Sequence, residues 1–196
     1  METFKVSTDG TDCSVIESQA FSFCRQCTVA DRCCTKLGPD FDLPAPIVTE
    51  AEARRIRLHL GGKPRDFVTA WARSATIGHI QTNADGRCVF HHDGRCTIYD
   101  ARPFDCQVFP LDILRIGERY YWVAFTEFCQ QPMHLETMLV YGESLLARKD
   151  SGFLQDFAWN VSEHPCKLLY LVLKEIQPPS LTPDFANKTY RPLDAP

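Results

Sequence analysis

Ten cysteines stand in this chain of 196 residues, and eight of them fall into runs whose spacing suits metal chemistry. Cys24, Cys27, Cys33 and Cys34 form the first run; Cys88, Cys96 and Cys106 form the second, with Cys129 after it. Two residues between Cys24 and Cys27 let one tight turn aim both sulfurs at a single centre, as in many zinc and iron–sulfur sites. Cys13 and Cys166 have no neighbour at ligand spacing and read as isolated thiols. His91 and His92 adjoin the second run, yet paired histidines at a turn are more often solvent-exposed than ligating. His134 and His164 read as ordinary surface or helix-end residues.

The adjacent pair Cys33–Cys34 constrains the chemistry. In an extended chain neighbouring side chains point to opposite sides, so two sulfurs on one zinc would need a bent backbone. That makes a single mononuclear zinc the least comfortable choice. It tilts the reading toward an iron–sulfur cluster, such as a four-iron one, with zinc as the other choice. Eight clustered cysteines also divide into two four-thiolate sites.

Compartment decides between metal and disulfides. The N-terminal residues show no basic segment followed by an apolar one, so no secretory signal is read there. A reducing, cytoplasmic setting is the expectation, and metal ligation follows from it. No apolar run approaches a membrane span, the longest being Leu168 to Leu173, so no membrane association is expected. A formal net charge of −4 argues against a general nucleic-acid binder. Arg54, Arg55 and Arg57 read as a solvated helix face.

The elements that must position the cysteines can be read in turn. Residues 1–20 read as an irregular arm, and the prolines of residues 38–46 favour extended chain. Thr49 and Glu52 make a capping box for a helix carrying Ala53, Ile56, Leu58 and Leu60, stopped at Gly61-Gly62. A second helix is expected over residues 64–74, with Phe67, Ala70 and Trp71 inward. The segments around Cys88 and Cys96 flank His91-His92-Asp93-Gly94, a hairpin signal that places the two cysteines on neighbouring strands. A second hairpin is expected from Leu111–Ile116 and Arg119–Phe125, joined at Gly117-Glu118.

Leu135 to Leu146 carries an amphipathic helical pattern, and Phe153, Phe157 and Trp159 suggest a short helix. Residues 166–176 are ambiguous between helix and strand. The prolines beyond Gln177 mark a tail. The fold class expected is α+β: a small metal-stapled domain with short β-hairpins and flanking helices, and a helical C-terminal part. Its divisions would be an arm at 1–20, a cysteine-cluster domain at 21–130, a helical extension at 131–176 and a tail at 177–196.

The two cysteine runs, the segment Gly94-Arg95-Cys96-Thr97-Ile98-Tyr99 and the segment Arg102-Pro103-Phe104-Asp105-Cys106-Gln107-Val108-Phe109-Pro110 together resemble the YkgJ-type cysteine-cluster proteins. Those CxxCxxCC proteins are described as zinc- or iron-chelating domains, and the resemblance spans about residues 21 to 130. It implies ligand roles for Cys24, Cys27, Cys33, Cys34, Cys88, Cys96 and Cys106, with Cys129 matching a later cysteine of the family. It implies scaffold roles for Tyr99, Arg102, Pro103, Phe109 and Pro110. Two departures stand out. Five residues separate Cys27 from Cys33 where the family usually has two, and Gln107 replaces an arginine.

Three readings of function follow. The first is a metal-binding protein with a structural or redox centre. The second is an enzyme like the flagellin lysine methylases, which resemble this family and use S-adenosylmethionine. No Gly-rich nucleotide loop follows a strand here, and the chain is short for that branch. The third is a metal-dependent maturation or interaction factor whose helical part docks an unknown protein partner. No catalytic residue can be named from spacing alone.

Overall fold

The computed structural model describes residues 33–38, 41, 43–62, 66–70, 77–125, 134–150, 152–160 and 170–177. Cys13, Cys24, Cys27, Cys129 and Cys166 lie outside the described residues, as do the expected arm and residues 178–196.

Strand β1 (Ile47–Thr49) runs straight into helix α1 (Glu50–His59). The capping box forms as the sequence implies: Glu52 N–H donates to Thr49 Oγ1 at 3.3 Å, and Thr49 N–H donates to Glu52 Oε2 at 3.0 Å. Gly61 and Gly62 take positive φ after the helix, and Gly62 N–H donates back to Arg57 O at 2.9 Å. Ala53 and Ile56 are buried, while Leu58 points to solvent.

Strands β2 (Val68–Ala70) and β3 (Ile77–Ile80) complete a small antiparallel sheet in the order β1-β3-β2. The helix expected over residues 64–74 is therefore corrected at its centre, where Val68–Ala70 is strand. Val68 and Thr69 are β-branched, and pairing with β3 overrides the weak helical spacing. Gly78 makes that pairing close, since a Cβ there would stand 2.4 Å from Val68 Cγ1. Phe67 is buried as expected, but Ala70 is exposed.

Strands β4 (His91–His92) and β5 (Arg95–Cys96) form a minimal hairpin. Its turn residues Asp93 and Gly94 have φ of 46° and 75°, the positive pair that matches strand twist. The hairpin is shorter than its sequence suggests. Cys96 lies on β5 opposite His91, whereas Cys88 sits before β4 in an isolated antiparallel bridge with Thr82. A 3-10 turn at Tyr99–Ala101 and Pro103 then lead into helix α2 (Phe104–Val108).

Strands β6 (Leu111–Ile116) and β7 (Arg119–Ala124) pair over their full length, as their alternation predicts. Helices α3 (Leu135–Leu146) and α4 (Phe153–Phe157) follow, then β8 (Trp159–Asn160) and β9 (Leu171–Ile176). The sheet order is β8-β6-β7-β9, so Leu171–Ile176 of the ambiguous stretch is an edge strand on β7, and residues 166–169 lie outside the described residues. The architecture is α+β. Among the described residues no helix is long and apolar enough to cross a membrane.

Two hydrophobic cores result. One joins α2, α3 and α4 to β6 and β7, with Phe104 packed edge-on against Phe153 and Phe157 at 5.1 Å each. The other gathers Leu37, Val48, Ile56, Phe67, Phe90 and Ile98, with Cys33, Cys34, Cys88 and Cys96 among or against them. The thiols belong to the second core, and α2 reaches them from the first.

Candidate metal centre

Two local units present Cys88 and Cys96, and they are built alike. Gly86-Arg87-Cys88-Val89-Phe90 and Gly94-Arg95-Cys96-Thr97-Ile98 share the pattern Gly-Arg-Cys-x-apolar, eight residues apart. In each unit the glycine has positive φ, 77° at Gly86 and 75° at Gly94. In each, the backbone N–H two residues past the cysteine lies where it favours the thiolate and opposes the effect of burial: Phe90 for Cys88 and Ile98 for Cys96. Phe90 and Ile98 anchor the units in the second core. Thr97 ties them together, since its N–H donates to Phe90 O at 2.9 Å and its hydroxyl to the same oxygen at 3.1 Å.

The first cysteine run joins them through backbone. Cys88 N–H donates to Cys34 O at 2.9 Å, and Leu37 N–H donates to Gly86 O at 2.9 Å. Cys33 and Cys34 lie in a turn rather than an extended segment, and their Sγ atoms are 3.9 Å apart. The expectation that this pair points to opposite sides is thereby corrected. The turn is held by the bonds to Gly86 and Cys88, which spacing along the chain did not reveal.

Cys106 comes from the first turn of α2. Glu52 sets that helix by accepting from Phe104 N–H at 2.9 Å, and Asp105 by accepting from Ile47 N–H at 2.7 Å. Arg102 is buried beside it. Its Nε donates to Tyr99 O at 2.9 Å, and its guanidinium lies 3.6 Å from the Tyr99 ring centroid. Arg55 Nη2 and Gln107 Nε2 both donate to Arg102 O, at 2.7 and 2.6 Å. Gln107 also accepts from Tyr141 OH at 3.2 Å, fastening α2 to α3 where the family usually carries an arginine.

The electrostatics show which thiols lie near enough to feel one another's charge. Burial pushes the Cys88 thiol up to about 12, with the Phe90 N–H opposing and the charges of Cys34 and Cys96 adding to the rise. Burial also raises Cys96, opposed by the Ile98 N–H and then by Arg102, with Cys34 adding to the rise. Cys106 rises well above the ordinary thiol value through burial, then the charges of Asp105, Cys34, Cys88 and Cys96. Burial likewise raises Asp105, helped by the nearby Asp112 charge. Cys34, Cys88, Cys96 and Cys106 therefore share one electrostatic neighbourhood that resists gathering negative charge. Among the described residues, no three His, Cys, Asp or Glu side chains are drawn together tightly enough to close around one ion.

The donor set nevertheless has the chemistry for a soft cation. A divalent ion would reverse the penalty of gathering thiolates, with the Phe90 and Ile98 N–H groups favouring the thiolate form of two of them. Cys24, Cys27 and Cys129, which the sequence adds to this set, fall outside the described residues. His92 is exposed with Nε2 3.1 Å from Val89 O, and His91 stands opposite Cys96 on the hairpin.

A family model described as CxxCxxCC, "Putative zinc- or iron-chelating domain", matches residues 23–130. No curated protein and no solved structure matches the chain.

Proposed function

Because the chain belongs to the CxxCxxCC family of zinc- or iron-chelating domains, we propose that it is a zinc-binding protein whose thiolates staple the second core. The proposed donors are Cys33, Cys34, Cys88, Cys96 and Cys106 with Cys24, Cys27 and Cys129, enough for two four-thiolate sites.

The observation that carries this reading is the Cys33–Cys34 turn. A tetrahedral ion with zinc–sulfur bonds of about 2.3 Å holds its sulfurs about 3.8 Å apart. The 3.9 Å between Cys33 Sγ and Cys34 Sγ fits one edge of that tetrahedron. A four-iron cluster takes one cysteine per iron, so two adjacent sulfurs this close suit it poorly. The reason for preferring iron–sulfur was an extended pair, and the turn removes it.

The ion supplies charge neutralisation that lets buried thiolates coexist. The chain's own residues do the remainder. The Phe90 and Ile98 N–H groups favour the thiolate at Cys88 and Cys96, Glu52 and Asp105 fix α2, and the second core excludes water. Elemental analysis and an absorption spectrum of anaerobically purified protein test the reading. Stoichiometric zinc in a colourless sample supports it, and a brown sample with iron and acid-labile sulfide overturns it.

A further inference from the structure

We propose that Cys33 and Cys34 are an oxidation site for hydroperoxides, closing as a disulfide between neighbouring residues and thereby opening the metal's donor set. This rests on the zinc-binding reading above. The two Sγ atoms already stand 3.9 Å apart on one turn, and contraction to the about 2.05 Å of a disulfide needs only side-chain rotation and a small adjustment of that turn. Both residues are half-buried, as Cys96 and Cys106 are, so a small peroxide can reach them, whereas Cys88 is buried at 8% exposure. Access and proximity coincide at this pair.

The chemistry balances with a hydroperoxide as oxidant. One thiolate of the pair attacks the outer peroxide oxygen; an S–O bond forms, the O–O bond breaks, and the departing alkoxide or hydroxide takes a proton. The neighbouring sulfur then attacks that sulfenic sulfur, forming S–S and releasing the oxygen as water. Two thiols lose two protons and two electrons, and the peroxide is reduced to an alcohol, or water, plus water.

Strain makes the product reversible. Adjacent Cα atoms across a trans peptide are about 3.8 Å apart, shorter than the roughly 4.4–6.8 Å that disulfides prefer. Strained disulfides are the readily reduced ones, suited to switching rather than to stapling. A pair that also supplies two donors to one ion converts oxidation directly into ion release.

The sequence provides a clean readout. Trypsin cuts after Arg32 and Lys36, isolating Cys33-Cys34-Thr35-Lys36 in a peptide with no other cysteine. Zinc-loaded full-length protein would be treated with limiting hydrogen peroxide, alkylated, digested and weighed, with released zinc followed by a chelating dye. The expected result is an unalkylated peptide two hydrogens lighter than its dithiol, with zinc released in step. Dithiothreitol should restore the thiols and zinc rebinding. A peptide that stays doubly alkylated, a sulfinic acid, or a cross-link from either cysteine to another peptide overturns the proposal. Protein purified without zinc would instead defeat the zinc reading, and the peptide mass would still report on the pair by itself.

Discussion

Gly86 and Gly94 do for the backbone what Cys88 and Cys96 do for the chemistry: each places a cysteine two residues ahead of an amide that favours its thiolate. At Gly86 the demand is double. Its φ is +77°, and a Cβ would stand 2.4 Å from the Phe41 ring. Gly86→Ala should destabilise the protein by about 1–3 kcal/mol, measured by chemical denaturation. An unchanged stability would mean that the first unit is not set by this glycine. Adding Phe41→Leu should recover the steric share only, because positive φ remains. Cys88→Ser and Cys106→Ser should each lower the zinc bound per chain and cut affinity at least about tenfold, read by competition with a chelator. Retention of full zinc in both variants would remove these residues from the ligand set.

Much at this scale was legible in the sequence. The cysteine spacings, the Asp93-Gly94 turn and the Thr49–Glu52 box all involve residues close along the chain. The repeated Gly-Arg-Cys-x-apolar pattern was equally visible but meaningless until two positive-φ glycines and two buried anchors, Phe90 and Ile98, gave it a structural role. What was not legible came from distance. Cys33 and Cys34 are turned together by bonds to Gly86 and Cys88, more than fifty residues away.

Among the elements, α1 and α2 are joined by one carboxylate. Glu52 accepts from Thr49 N–H, Phe104 N–H and Lys149 Nζ, the last at 2.7 Å. It therefore caps the helix that carries Cys106 as well as its own. Burial alone would raise its pKa; Lys149 and the N–H donors outweigh this and hold it below 4.5. A carboxylate depressed in the folded state stabilises above its unfolded pKa, and that stabilisation is lost as pH falls through the folded value. Glu52→Gln should thus cost about 3 kcal/mol near neutral pH. The difference between variant and parent should shrink once pH drops below 4.5. A gap constant across that range would deny Glu52 its charge-dependent role.

Helix α3 meets β7 through Gly142, where a Cβ would lie 2.9 Å from Trp122 Cη2. Gly142→Ala should cost about 1–3 kcal/mol by overpacking despite its gain in helix propensity. A more stable variant would show that Trp122 yields. Helix α3 was evident from its spacing. The strand Val68–Ala70 was not, because its helical spacing lost to a pairing partner, β3, that sequence order does not announce.

At the scale of the whole molecule, the two cores divide the labour. The β6–β7 core is built from long strands, three helices and large aromatics, and it stands on apolar burial. The second core has short strands and carries the thiols, so its order depends on neutralising them. Removing zinc with a chelator should raise amide hydrogen exchange across residues 82–106 while β6 and β7 keep their protection. Equal loosening of both cores would contradict this division. Helix α2 bridges them, placing Phe104 in one core and Cys106 beside the other.

The central claim is that thiolates hold tetrahedral zinc, with Cys33 and Cys34 on one ion. X-ray absorption on the protein as purified tests it most directly. The account predicts a zinc edge with four sulfur neighbours at about 2.3 Å. An iron edge with short iron–iron scattering would contradict it.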